Sequence, residues 1–303
     1  MDSKVSAAVA LLVTLLAIGA SFHSETLRAK LTGRPDSYPV DFQHVAESLY
    51  RQGFLWKIPG GPRRGILVDV HVFLVKIGQD YILVDVGAPG EEYEQIVSAG
   101  LQEAVKDGEL RWVILTHGHI DHVGALEALV KEYPKVQVLF HEAEAPFLTG
   151  NADYKDIPAD DPKYAASRFD VSSALPASRV LLVRGTNGDI ADAKGPSGQK
   201  PAWPSPRGII TFHHGPGHAP GHVSYLHIPS GSLVAGDVFG NLGNPPKITL
   251  PPSVYTPNVT EARLSLVRIA ELDFLKAFCA HDRLEGVTKN DLQQFTQSLD
   301  IDQ

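Results

Sequence analysis

The 303-residue sequence contains a single cysteine, Cys279. One thiol excludes an intrachain disulfide and leaves the redox compartment open. It also means that a metal site here must be built from histidine and carboxylate, and thirteen histidines are available. Basic residues are in deficit: 27 Lys and Arg stand against 35 Asp and Glu, a net charge of -8. A general nucleic-acid binder shows a basic face, so nucleic acid is not expected as a partner. Long apolar runs are lacking, with one exception. Lys4 precedes residues 5–20, all apolar or small, and Gly19, Ala20 and Ser21 permit cleavage. This run lies between a signal-peptide core and a membrane-spanning helix in length. Residues 1–24 are therefore expected to be a signal peptide leading into the secretory pathway, with a single-pass membrane anchor as the alternative. The lone sequon Asn258-Val259-Thr260 is compatible with that route. The full chain has the 43% hydrophobic and 20% charged fractions of a soluble globular protein, and 25–303 is expected to form its domain.

The chain then reads as alternating strand and helix signals. Residues 21–50 are mixed and read as a lead-in. Residues 68–75 and 81–86 are rich in β-branched side chains and flank a short polar link, a hairpin signal. Tyr93, Ile96, Val97, Leu101 and Ala104 form a helical stripe. An apolar strand is predicted over 112–115. A helix is predicted from about Val123 to a stop at Pro134, and a strand over 136–140. From about 149 to 207 the pattern is lost, apart from a short strand at 180–183. A patternless stretch this long reads as a lid over a pocket, with a surface insertion as the alternative. Strands are predicted again over 208–212, 223–228, 232–235 and 276–280, with a helix over about 261–274. Thr288-Lys289-Asn290-Asp291 matches a capping box opening a last helix. Two batches of strands, each with helices, predict an α/β protein of two packed β-sheets flanked by helices.

The chemistry concentrates in Thr116-His117-Gly118-His119-Ile120-Asp121-His122-Val123-Gly124, directly after the strand at 112–115. In extended chain, alternate side chains share a face. His117, His119 and Asp121 would converge, and His122 would point elsewhere. One metal could take the two histidines and a second could take Asp121 and His122. Imidazole with carboxylate suits zinc, with iron or manganese as alternatives. Downstream, His218, Asp237 and His281 also stand at strand ends. A bridging carboxylate would let such a set hold two metals roughly 3.5–4 Å apart.

These motifs resemble those of the metallo-β-lactamase-fold hydrolases. Residues 117–122 look like the His-x-His-x-Asp-His motif of that family. Pro216-Gly217-His218-Ala219-Pro220-Gly221-His222, Ala235-Gly236-Asp237-Val238-Phe239 and Leu83-Val84-Asp85-Val86-Gly87 look like three further elements of it. The resemblance implies a four-layer αββα sandwich. It implies one metal on His117, His119 and His218, a second on Asp121, His122 and His281, and Asp237 between them. Asp85 and His222 would support the ligands, and Asp121 would be catalytic. The cofactors implied are two divalent ions, zinc foremost, whose hydroxide would cleave an ester, thioester or lactone in a small acyl substrate. An aspartate rather than a cysteine or serine at the bridge is closer to the glyoxalase II, lactonase and thioesterase branch than to enzymes that destroy β-lactams. Ala280-His281-Asp282 departs from the usual Gly-His-Gly context. The alternatives are a one-iron persulfide dioxygenase and a non-catalytic metal-binding protein. Cys279 reads as strand packing and His141 as structural; His213 and His214 adjoin the site but match no ligand position, and His71 lies on a strand near the site with its role open.

Overall fold

The computed structural model describes residues 38–59, 64–165, 175–243, 246–282 and 286–299. The N-terminal segment expected at 1–24 lies outside these residues. Among the described residues no helix is long and apolar enough to cross a membrane.

β1 (Gln43–Ala46), β2 (Leu49–Lys57), β3 (Leu67–Ile77) and β4 (Asp80–Val84) form an antiparallel meander. β5 (Glu109–Ile114), β6 (Gln137–His141) and β7 (Val180–Val183) extend it in parallel, in sequence order. Parallel neighbours need crossovers. Helix α1 (Glu91–Ala104) joins β4 to β5. The short helices α2 (Ile120–Val123) and α3 (Leu126–Glu132) lie between β5 and β6, and α4 (Ala145–Leu148) follows β6.

The second sheet contains β8 (Asn187–Asp189), β9 (Ile210–His214), β10 (Val223–His227) and β11 (Ser232–Gly236). A separate hairpin, β12 (Gly240–Gly243) with β13 (Pro246–Thr249), follows. Helix α5 (Val259–Ala270) then returns the chain to β14 (Lys276–Cys279), which pairs parallel to β11. β15 (Val287–Thr288) completes the order β15-β14-β11-β10-β9-β8, and α6 (Lys289–Gln297) ends the described chain.

The packing follows from strands apolar on both faces, which need cover on both sides. In β3, Val70, Val72 and Leu74 face α1 and α3 residues such as Val97, Leu101, Leu126 and Leu129. Phe73 and Val75 point the other way and meet Ile210, Phe212, Tyr225 and Phe278 between the sheets. Leu233, Ala235 and Ala277 pack outward against Leu266, Ile269 and Leu292 of α5 and α6. These three cores separate four layers, αββα.

Four local differences have physical causes. The lead-in contains β1 and the start of β2. β1 is an exposed edge strand, so it carries no apolar alternation. The helix expected from Val123 is broken at Gly124, where a Cβ would lie 2.1 Å from the backbone nitrogen of Pro89. The helix expected over 261–274 runs Val259–Ala270, because the Asn258 side chain accepts from the Glu261 N–H (2.9 Å) and caps it earlier. Residues 166–174 of the patternless stretch expected as a lid lie outside the described residues, and its described parts take two courses. Its later part supplies β7 and β8 to the two sheets. Its residues 160–165 run along 253–259, with Ala165 N–H donating to Val254 O (2.7 Å) and Ser253 Oγ to Asp161 (2.6 Å).

Candidate metal centre

The ends of β4 and β5 build the first half of the centre. Asp85 follows β4 with φ of 57°, a left-handed conformation rare outside glycine. Its Oδ1 accepts from Thr116 N–H (2.7 Å) and its Oδ2 from Thr116 Oγ1 (2.7 Å) and His122 Nδ1 (2.8 Å). One carboxylate thus fixes the histidine loop at its start and orients one of its imidazoles.

Strand ends and the loops leaving them bring together all seven residues expected as ligands. His117, His119 and His218 present nitrogen atoms within 4.8 Å of one another. A carboxylate oxygen of Asp121 and nitrogens of His122 and His281 are as close to one another, and Asp237 groups with His117 and His122. Asp237 lies between the two sets. Its Oδ2 is 3.4 Å from His218 Nε2 and 3.1 Å from His281 Nε2, and its Oδ1 is 3.4 Å from His122 Nε2. Asp121 Oδ2 is 3.4 Å from His281 Nε2. The backbone N–H of Asp237 donates to His222 Nε2 (2.9 Å), so His222 holds the turn that carries the aspartate. A side chain at Gly236 (φ 59°) would put its Cβ 2.6 Å from that same nitrogen.

Hydrogen bonds behind the rings set their tautomers. Thr116 Oγ1 already donates to Asp85, so it accepts from His117 Nδ1–H (3.1 Å). Thr256 Oγ1 donates to Pro252 O and therefore accepts from His218 Nδ1–H (3.0 Å). His122 Nδ1–H donates to Asp85 and His281 Nδ1–H to the carbonyl of Asp69 (2.7 Å). In each case Nε2 is the ring atom turned inward, the position from which an unprotonated imidazole ligates a metal. Among the described residues, the buried Nε2 atoms of His117, His119, His122 and His218, and Asp237 Oδ1, have no hydrogen-bond partner. Buried polar atoms are normally paired. Five such atoms converging in one place fit divalent metal ions, and the donor set of imidazole and carboxylate suits zinc, iron or manganese.

The electrostatics divide the histidines. Burial and then neighbouring imidazoles push His117 and His119 well below the usual range, so both are neutral and able to ligate. Burial takes His222 down to about 3. Burial also pulls on His281, but Asp237 and Asp121 outweigh it and raise the group to about 9. His122 is raised as well, by Asp237 and Asp85 against its burial. In the metal-free chain these two carry protons, which a metal must displace.

Three supporting features were not expected from sequence. Glu144, fully buried, accepts from Gly118 N–H (3.1 Å), Gly221 N–H (2.6 Å) and the Tyr154 hydroxyl. It joins the loop of His117 and His119 to the loop of His218 and His222. Burial raises its pKa, and the three donors pull it back. The signal for it was an acid set among Ala143, Ala145, Phe147 and Leu148. Thr256 and the carbonyl of Asp69 orient two rings. Asp282, in place of a glycine, accepts from Asn241 Nδ2 (2.9 Å), and Asn241 N–H donates to His281 O (3.1 Å). The β12–β13 hairpin therefore holds the His281 turn. His71 lies outside the ligand groups. It is buried with Nδ1 3.1 Å from Ala280 O and is lowered to about 3 by burial. His141 stacks on His214 at 4.0 Å.

Comparison with known proteins agrees with this construction. YflN of Bacillus subtilis, described as a probable metallo-hydrolase, is 27% identical over 222 residues, covering 69% of this chain and 79% of that protein. A metallo-beta-lactamase from Hirschia baltica superposes with a TM-score of 0.56 at 15% identity, over 85% of this chain and 96% of that one. A metallo-beta-lactamase family protein from Thermus thermophilus gives 0.55 at 20% identity, over 84% and 78%. At such identities the structural likeness is one of fold. The metallo-beta-lactamase superfamily profile matches residues 65–281, most of the chain, and the chain therefore belongs to the metallo-beta-lactamase superfamily.

Proposed function

We propose that this chain is a metal-dependent hydrolase that holds two divalent ions, zinc foremost, and cleaves an ester, thioester or lactone in a small-molecule substrate. The observation that carries this reading is the position of Asp237, whose carboxylate lies 3.4 Å from His218 of one set and 3.1 and 3.4 Å from His281 and His122 of the other. His117, His119 and His218 would hold one ion, Asp121, His122 and His281 the other, and Asp237 would touch both. Such ions supply Lewis acidity and lower the pKa of water to about 7.

The chain's own residues do the rest. Asp85, Thr116, Thr256 and the Asp69 carbonyl hold four imidazoles in the ligating tautomer. Asp121 is the proton carrier. Its carboxylate is 15% exposed, so it reaches both the centre and the substrate side. In the reaction, water oxygen joins the acyl carbon and the bond from that carbon to oxygen or sulfur breaks. Asp121 takes a proton from water and passes it to the departing group, giving an acid and an alcohol or thiol. No serine or cysteine nucleophile is needed, and Cys279 is fully buried in strand packing.

The test is metal analysis of the purified chain with a panel of esters, thioesters, lactones and β-lactams. About two ions per chain and chelator-sensitive acyl hydrolysis are expected. Asp237→Ala is expected to lose most activity, by a factor of at least ~100. Full activity of that variant would overturn the bridged centre. One iron per chain with oxygen consumption would instead favour a dioxygenase.

A further inference from the structure

The described ligands are not equally open. The side chains of His117, His119 and His218 are closed over, and Phe147, Tyr154 and Ala219 cover that side, with the Tyr154 ring 4.9 Å from the His119 ring. His281 and Asp121 are the accessible members, at 17% and 15% side-chain exposure. Beside His281 and Asp237 lies a cleft of about 230 Å³. Its wall is Phe239, Gly240, Thr249, Leu250, Pro251 and Pro252.

This wall is apolar and built to stay in place. Phe239 follows Asp237 by two residues and is buried in the outer core. Gly240 pairs with Thr249, so the hairpin returns the chain across the site. Pro251 and Pro252 offer no N–H and have fixed φ. The carbonyl of Pro252 accepts from Thr256 Oγ1 (3.0 Å), the hydroxyl that also orients His218. One end of the wall is therefore continuous with Asp237 and the other is tied to His218. Among the described residues lining the cleft none is Lys or Arg. Lys247, two residues along β13 from Thr249, is exposed and does not line it.

We propose that this cleft receives the apolar side of a neutral substrate, an ester or lactone bearing a medium-length aliphatic or aryl group, with Leu250 as a specificity-determining residue. The inference rests on the hydrolase reading above. The volume has room for roughly seven or eight water-sized groups. A carboxylate set along Phe239, Leu250 and Pro251, away from the metal ligands, would lose its hydration with no Lys or Arg on that wall to replace it, and the net charge of -8 adds repulsion. A carbonyl at the centre would then lie beside Asp121, with the apolar substituent along Phe239 and Leu250.

Two measurements on the metal-loaded chain test this. The first compares hydrolysis of the nitrophenyl ester of hexanoic acid with that of adipic acid, which differs by a terminal carboxylate. The hexanoate is expected to have kcat/KM at least ~10-fold higher, and Leu250→Lys to shrink that ratio by ~10-fold. The second follows the Leu250 methyl resonances, assigned by their loss in Leu250→Lys, on titration with hexanamide and with acetamide. Only hexanamide is expected to shift them. Hydrolysis of both esters with the adipate equal or preferred overturns the cleft assignment and leaves the hydrolase reading intact. No hydrolysis of either ester, with the Leu250 shift present, overturns the hydrolase reading and leaves the cleft. Methyl resonances unmoved by hexanamide overturn the cleft in either case.

Discussion

Glu144 carries more of the centre's geometry than a residue outside the ligand set would suggest. Its two oxygens take backbone N–H groups from Gly118 and Gly221 and the hydroxyl of Tyr154. Glu144→Ala leaves three buried donors without an acceptor, at about 1–3 kcal/mol each before relaxation. A loss of about 3 kcal/mol or more is expected in urea unfolding of the metal-free chain. Tyr154→Phe removes one donor and keeps both loop contacts, so a loss of about 1 kcal/mol is expected. Metal affinity, read by chelator competition, is expected to fall in Glu144→Ala and to hold in Tyr154→Phe. A Glu144→Ala protein as stable as wild type would remove the clamp from the account. The same comparison explains what was legible at this scale. The seven residues that converge all announce themselves as histidine or aspartate at strand ends. Glu144, Thr256 and Asp69 do not, because their role lies in contacts across 26 to 212 positions of sequence.

The elements divide the same way. β3, β4, β5 and β10 are apolar runs between turn residues, and the sequence pattern locates each of them. Thr288 was legible as a cap, and its Oγ1 accepts from Asp291 N–H (3.2 Å). β8 and the β12–β13 hairpin were not. β8 reads Asn-Gly-Asp and β12 reads Gly-Asn-Leu-Gly, sequences that form strands only because a neighbour supplies the ladder. The hairpin matters to the site because Asn241 ties it to Asp282 (2.9 Å) and to the carbonyl of His281 (3.1 Å). This tie replaces the freedom of the absent glycine with a fixed turn. Asn241→Ala is expected to loosen the His281 turn and leave the His117, His119 and His218 group unchanged. Metal content after gel filtration is expected to fall from about two ions toward one. An Asn241→Ala chain that keeps both ions at wild-type affinity would show that the hairpin does not hold His281.

Across the whole molecule, histidines of opposite electrostatic character meet in one place, and this sets how stability depends on pH. His71 and His222 are taken to about 3, and His117 and His119 also lie well below 6.5. In the unfolded chain they titrate at about 6.5, so the unfolded state binds more protons as pH falls below that value and the fold is destabilised. His281, raised to about 9, acts in the other direction, and His122 is raised with it. Their contribution is complete below about 6.5 and is lost as pH rises, through about 9 for His281. For His281 this is at most ~3 kcal/mol. The two trends oppose each other, so Tm of the metal-free chain is expected to peak at a pH of about 6.5 and to fall on both sides. Metal loading should change the two sides differently. Bound imidazoles are unprotonated, so the alkaline loss disappears, while acid still releases the ions. Scanning calorimetry of metal-free and zinc-loaded protein between pH of about 5 and about 10 separates the two profiles. A metal-free Tm that rises steadily through pH of about 8 would mean that the carboxylates of Asp237 and Asp121 do not hold protons on His281 and His122.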